Sequence, residues 1–186
     1  SGLADGDHVR SHSGRTGSKF EYCTICHGAS GRGYQGFYTM PRLAGQSPEY
    51  LVEELLEFAA GHRKPGIPIS FARVHALDPA TRSAIASRFS RLNPAPTGRG
   101  PSRLMAEGRR IYEQGVPEAN IPNCVACHGP QGQGAGAAAR VAGQLFRYTR
   151  KTLNNWSKER GAEASEASQI MRTVAGNMTR LQIEAV

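Results

Sequence analysis

The chain has 186 residues, of which 39% are hydrophobic and 20% charged, with 22 glycines and 11 prolines. Its 23 lysines and arginines outnumber 15 aspartates and glutamates, for a formal charge of +8. That length allows one or two small domains, and no stretch approaches the roughly 20 apolar residues of a membrane helix. A basic chain raises nucleic acid as a partner. Here the arginines are scattered and no basic block interleaves with aromatic residues, so the charge fits an acidic protein face or an anionic surface better.

The opening Ser1-Gly2-Leu3-Ala4-Asp5 lacks the charged and apolar regions of a secretory leader and reads as a mature or trimmed start. Up to Cys23 the helical signal is weak, because Gly14 and Gly17 interrupt it. Ser47 then opens a helix as N-cap. Pro48 suits the first helical position, and Glu49, Glu53 and Glu54 lie toward the positive end of the dipole. Leu51, Leu55, Phe58 and Ala59 form its apolar face, and Gly61 is a natural stop. Asp78-Pro79 starts another helix, with Ile85, Phe89 and Leu92 on one face and Pro94 just past its end. The run from Asn93 to Pro101 is dense in proline and glycine and reads as a linker. Beyond it, Leu104, Gly108, Ile111 and Tyr112 share a helix face, with the glycine leaving room for a second helix. A helix from about Leu145 to Trp156 and a last one beginning at Met178 complete the chain. No convincing strand appears. The expected fold class is all-α, in two packed domains, residues 1–93 and 101–186, joined by a linker at 94–100.

All four cysteines fall in two copies of one motif, Cys23-Thr24-Ile25-Cys26-His27 and Cys124-Val125-Ala126-Cys127-His128. Cys-x-x-Cys-His is the spacing of covalent haem attachment. Two thiols on one short turn reach the two vinyl groups of a single porphyrin, and the next residue sets an imidazole under the iron. Two Cys-x-x-Cys pairs can instead make a zinc site, but these lie 101 residues apart and each carries a histidine that four sulfurs do not need. A redox-active Cys-x-x-Cys belongs to a strand–helix context that is missing here. The expectation is two covalent haem c groups, with Cys23, Cys26, Cys124 and Cys127 as attachment points and His27 and His128 as iron ligands. Such thioethers are assembled outside the cytoplasm, which implies export to a periplasm or an equivalent space.

The second motif belongs to a longer repeat. His27-Gly28-x-x-Gly31-x-Gly33 matches His128-Gly129-x-x-Gly132-x-Gly134, and Pro41-Arg42-Leu43-Ala44-Gly45-Gln46 matches Ala139-Arg140-Val141-Ala142-Gly143-Gln144. Tyr50 then falls opposite Tyr148 and Phe58 opposite Trp156. The pattern is that of a tandem duplication.

Together these segments, with Leu77-Asp78 opening a final helix, resemble the dihaem cytochromes of the cytochrome c4 type over nearly the whole chain. The resemblance implies two class I cytochrome c folds related by a pseudo-twofold axis, with haem propionate edges facing one another. It also implies periplasmic electron transfer, often toward a terminal oxidase. It places the axial methionine of the second haem at Met171, seven residues before Met178. Three departures stand out. Ala139 replaces a proline whose carbonyl, in the family, positions the proximal histidine. The chain stops at Val186, short of where the matching first-half helix ends near Leu92, so the last helix is expected to be short. The position matching Met171 in the first half is Ser70, or Phe71 in a shifted alignment, and neither supplies sulfur. Met40 precedes Pro41, on the proximal side. The candidates for the sixth ligand of haem 1 are therefore His75 and His62, more remotely His8 or His12, or an open site.

An electron carrier, or a cytochrome subunit of a larger redox complex, fits this set best. No catalytic residue stands out. An open haem 1 would instead suit a peroxidase-like or sulfur-oxidising enzyme. The expected partners are redox proteins with an acidic docking face, such as a membrane-bound oxidase or dehydrogenase, and not nucleic acid.

Overall fold

The computed structural model describes residues 17–64, 66 and 74–186. His8, His12, Ser70 and Phe71 lie outside the described residues. Residues 17–27 are helical (α1) despite Gly17. The cause is tertiary. Phe20 is buried with its ring centroid 4.8 Å from that of Phe89, and the Arg88 guanidinium lies 3.7 Å from the Phe20 centroid. Packing of this kind overrides a weak intrinsic propensity. Helix α2, Pro48–Ala60, begins as expected, with Ser47 Oγ accepting from Tyr50 N at 3.0 Å, and ends on Gly61 at φ 77°. Helix α3, Pro79–Ser90, is capped by Asp78, whose carboxylate accepts from Thr81 N at 2.9 Å. Helices α2 and α3 pack together, and Phe20, Leu51, Ile85, Ala86 and Phe89 form the first core.

Two further elements depart from the expectation. A two-residue antiparallel ladder, β1 Tyr34–Gln35 with β2 Thr39–Met40, closes a tight hairpin before Pro41. It is too short to show period-two alternation. The other is a helix over Glu166–Asn177.

The second half runs α4 Met105–Gln114, α5 Val125–His128, α6 Phe146–Glu159, α7 Glu166–Asn177 and α8 Arg180–Ala185. Its core is Ile111, Val116 and Ile121, with Val174, Met178 and Val186 packed against them. Gly108 does what its place on the helix suggested. A Cβ there would sit 1.9 Å from the Ala185 carbonyl oxygen, so only glycine lets α8 cross α4 at this distance. The last helix starts later than Met178. Thr179 is its N-cap, in a capping box with Gln182. Met178 thus precedes the cap as Leu77 precedes Asp78.

The repeated Arg-x-Ala-Gly-Gln segments form one contact between the halves. Gln46 Nε2 donates to Arg140 O at 2.8 Å, and Arg140 N donates to Gln46 Oε1 at 2.8 Å. Gln144 Nε2 donates to Arg42 O at 3.0 Å, and Arg42 N donates to Gln144 Oε1 at 2.8 Å. This reciprocity is the signature of a pseudo-twofold relation between the two halves. Gly45 and Gly143 precede the glutamines at φ 75° and 72°, the left-handed region that turns each amide across the interface. Arg42 Nη1 ties the segment to Pro94 O at 2.9 Å. Among the described residues no helix is long and apolar enough to cross a membrane.

Candidate functional site

His27 ends α1, where Gly28 N closes on Thr24 O at 2.8 Å. The His27 Nδ1–H donates to the Pro41 carbonyl at 2.9 Å, since a carbonyl can only accept. That bond fixes the tautomer and leaves the Nε2 lone pair free. Burial is the main reason its pKa falls to about 4. The Pro41 carbonyl works against the fall, while the neighbouring His75 and Arg63 add to it. The ring is therefore neutral at ordinary pH and able to bind a metal ion. Cys23 is half-buried and Cys26 exposed, and burial pushes the Cys23 thiol up.

The second site repeats this. Asn123 Oδ1 accepts from Ala126 N at 2.9 Å and His128 N closes on Cys124 O at 2.9 Å, shaping the short α5 turn. The His128 Nδ1–H donates to Ala139 O at 2.7 Å. The missing proline thus costs the site nothing, because the acceptor is a backbone carbonyl. Tyr112 braces the turn by donating to Gly129 O at 2.6 Å. Burial likewise raises the Cys124 thiol.

A cavity of about 280 Å³ opens beside His27, lined by Cys23, Cys26, Leu51, Phe58, Val74 and His75. Polar residues of both halves share the lining, Tyr50, Glu54 and Arg63 from the first and Gln144 and Tyr148 from the second. On this wall the buried Arg63 Nε has no acceptor. Two cysteines on the wall, a free imidazole nitrogen, apolar neighbours and an orphaned guanidinium donor fit an anionic porphyrin attached along one edge. They do not fit zinc. Among the described residues no three His, Cys, Asp or Glu side chains converge.

The other sequence candidates separate. His75 lies on the cavity wall with its ring stacked on Phe58, centroids 4.5 Å apart. His62 is not on that wall, and its Nδ1 is 3.5 Å from Glu57 Oε1. Met40 lies on the wall beside Pro41, the carbonyl that holds His27. Met171 is half-buried on α7, whereas Met178 packs into the Ile111 core.

One cluster was not anticipated. Glu54 was placed with the charges favouring the start of α2, yet its carboxylate pairs with Arg63 Nη1 and lies 3.5 Å from Arg160 Nη2. Arg63 and Arg160 come from opposite halves, pair as an antiparallel bridge and are 6% and 3% exposed. Arg63 stacks on Phe58 at 4.5 Å and Arg160 on Trp156 at 3.8 Å. Arg63 Nη2 also donates to Tyr148 Oη at 2.5 Å. Burial drives the Tyr50 phenol upward, helped by Glu54. The sequence signal was an arginine following each matched aromatic, which read as scattered surface charge.

Residues 105–186 match the family model described as Cytochrome c. The thiosulfate dehydrogenase electron acceptor of Thiomonas intermedia (strain K12) is 34% identical, over 88% of this chain and 75% of that protein. Cytochrome c4 of Thiocapsa roseopersicina is 32% identical, over 88% of this chain and 83% of its own. The solved structure of Acidithiobacillus ferrooxidans cytochrome c4 superposes with a TM-score of 0.76 at 33% identity, covering 89% of this chain and 95% of that one. With two Cys-x-x-Cys-His turns, two carbonyl-anchored histidines and these relatives, the chain belongs to the cytochrome c4-type family of dihaem c-type cytochromes, electron carriers with covalently bound haem c.

Proposed function

We propose that the chain is an exported, periplasmic carrier, built by tandem duplication as domains 1–93 and 101–186, that takes single electrons from a sulfur-compound dehydrogenase and delivers them to an acceptor such as a terminal oxidase. Cys23 and Cys26 would hold haem 1 and Cys124 and Cys127 haem 2, with His27 and His128 offering Nε2 to the iron. A bound haem c supplies a one-electron iron couple. The observation that carries this reading is the doubled turn in which each histidine Nδ1 rests on a backbone carbonyl, Pro41 at 2.9 Å and Ala139 at 2.7 Å. The donor class is suggested by the relative named as a thiosulfate dehydrogenase electron acceptor. The formal charge of +8 supports docking on an acidic partner face.

Met171 serves as the sixth ligand of haem 2. A thioether opposite imidazole raises the potential and favours electron transfer over oxygen chemistry. On haem 1 the sixth position would fall to His75. It shares the cavity with His27, while His62 turns to Glu57. A thiosulfate-oxidising dehydrogenase with thiosulfate should reduce both haems of the purified chain, and carbon monoxide should bind neither. His75→Ala should then bind carbon monoxide at one haem. Ready binding of carbon monoxide by the unaltered chain, with peroxide turnover and no reduction by the dehydrogenase, would favour the open-site enzyme instead.

A further inference from the structure

We infer that Glu54 adds to the inequality of the two haem sites, its carboxylate lowering the midpoint potential on the His27 side and so reinforcing the direction of electron movement that their different sixth ligands would set. This inference deepens the carrier reading and rests on it. Several interface groups are paired across the halves. Gln46 answers Gln144, Tyr50 answers Tyr148, and Arg63 on Phe58 answers Arg160 on Trp156. At Glu54 the symmetry breaks. The matching position on α6 is Thr152, buried and uncharged.

The Glu54 side chain is 15% exposed and lines the cavity that holds His27. Charges so placed are weakly screened by salt and water. The Lys151–Glu159 pair nearby, 3.2 Å apart, is neutral overall. The two arginines contribute one positive charge from each half. The Glu54 carboxylate offsets them on the His27 side, where it favours the more positively charged, oxidised iron.

The test is Glu54→Gln, which keeps size and hydrogen bonding but removes the charge. Spectroelectrochemical titration gives both midpoint potentials, and the Met171 near-infrared band identifies haem 2. The expected result is an upward shift of haem 1 that exceeds any shift of haem 2, with an unchanged circular-dichroism spectrum and with Glu54→Asp restoring the original gap. The mirror variant Thr152→Glu should lower haem 2, and it decides the matter if Glu54→Gln does not fold. Equal shifts, or no shift, in either variant would reduce Glu54 to a clamp between the halves and overturn the inference alone. Fewer than two haems by mass would overturn the carrier reading, and this inference with it.

Discussion

The Gln46 side-chain amide grips both backbone polar groups of Arg140, donating to its carbonyl and accepting from its N–H, each at 2.8 Å. Gln144 grips Arg42 in the same way at 3.0 and 2.8 Å. Gln46 is 4% exposed. A buried amide satisfied this way is costly to remove, because its partners are left without acceptors and donors. Pro41 and Ala139, which anchor the two histidines, are the residues just before Arg42 and Arg140. The grip that joins the halves therefore also fixes the relative placement of the two imidazoles.

Gln46→Ala removes two such bonds at about 1 kcal/mol each, so a loss of about 2 kcal/mol is expected. Urea denaturation of the holoprotein measures it. In Gln46→Ala/Gln144→Ala the halves should unfold in two calorimetric transitions where the parent shows one. An unchanged single transition in the double variant would show that the glutamines do not couple the halves.

Gly108 gives a prediction whose sign is diagnostic. Alanine in a helix interior ordinarily stabilises by about 1 kcal/mol over glycine. Here the added Cβ would meet the Ala185 carbonyl at 1.9 Å. Overpacking of that kind costs about 1–3 kcal/mol, so Gly108→Ala should be a net loss. Denaturant midpoints read by the absorbance of haem 2 measure it. A stabilised variant would mean that α4 and α8 separate freely.

The element starts show what the sequence makes legible. Ser47, Asp78, Gly61 and Gly108 announce themselves because caps, stops and close crossings depend on local chemistry. Helix 17–27 was obscured because its support comes from Phe89, far along the chain. The four cysteines and both histidines are visible in the motif, as is the rival standing of His75 and His62. The roles of Gln46 and Gln144 were not. Repeat matching pairs equivalent residues, whereas each glutamine contacts the arginine of the other copy. Glu54, Arg63 and Arg160 were opaque for a related reason, since a charge on a helix reads as solvated until its partner from another segment is known.

Met171 and Met178 should behave differently on substitution. Met171→Ala should abolish the weak near-infrared band of sulfur-ligated ferric haem and lower the potential of haem 2. Met178→Leu, a volume-conserving change against the Ile111 core, should leave the band intact and cost under about 1.5 kcal/mol. Loss of the band in Met178→Leu with its survival in Met171→Ala would exchange the two roles.

Encounter with the electron donor should weaken as salt rises. Opposite charges steer association, and the Debye length shrinks to about 8 Å at physiological ionic strength. Stopped-flow reduction by the dehydrogenase should slow between low and moderate salt, with the first-order limit at saturation unchanged. A rate independent of salt would separate the net charge of +8 from docking.

The most direct measurement is mass spectrometry of the denatured chain and its proteolytic peptides. The peptides holding Cys23-Thr24-Ile25-Cys26-His27 and Cys124-Val125-Ala126-Cys127-His128 should each carry one haem that survives denaturation, and the intact chain two. A chain with free thiols at either motif, or with haem released on denaturation, would contradict attachment at these four cysteines.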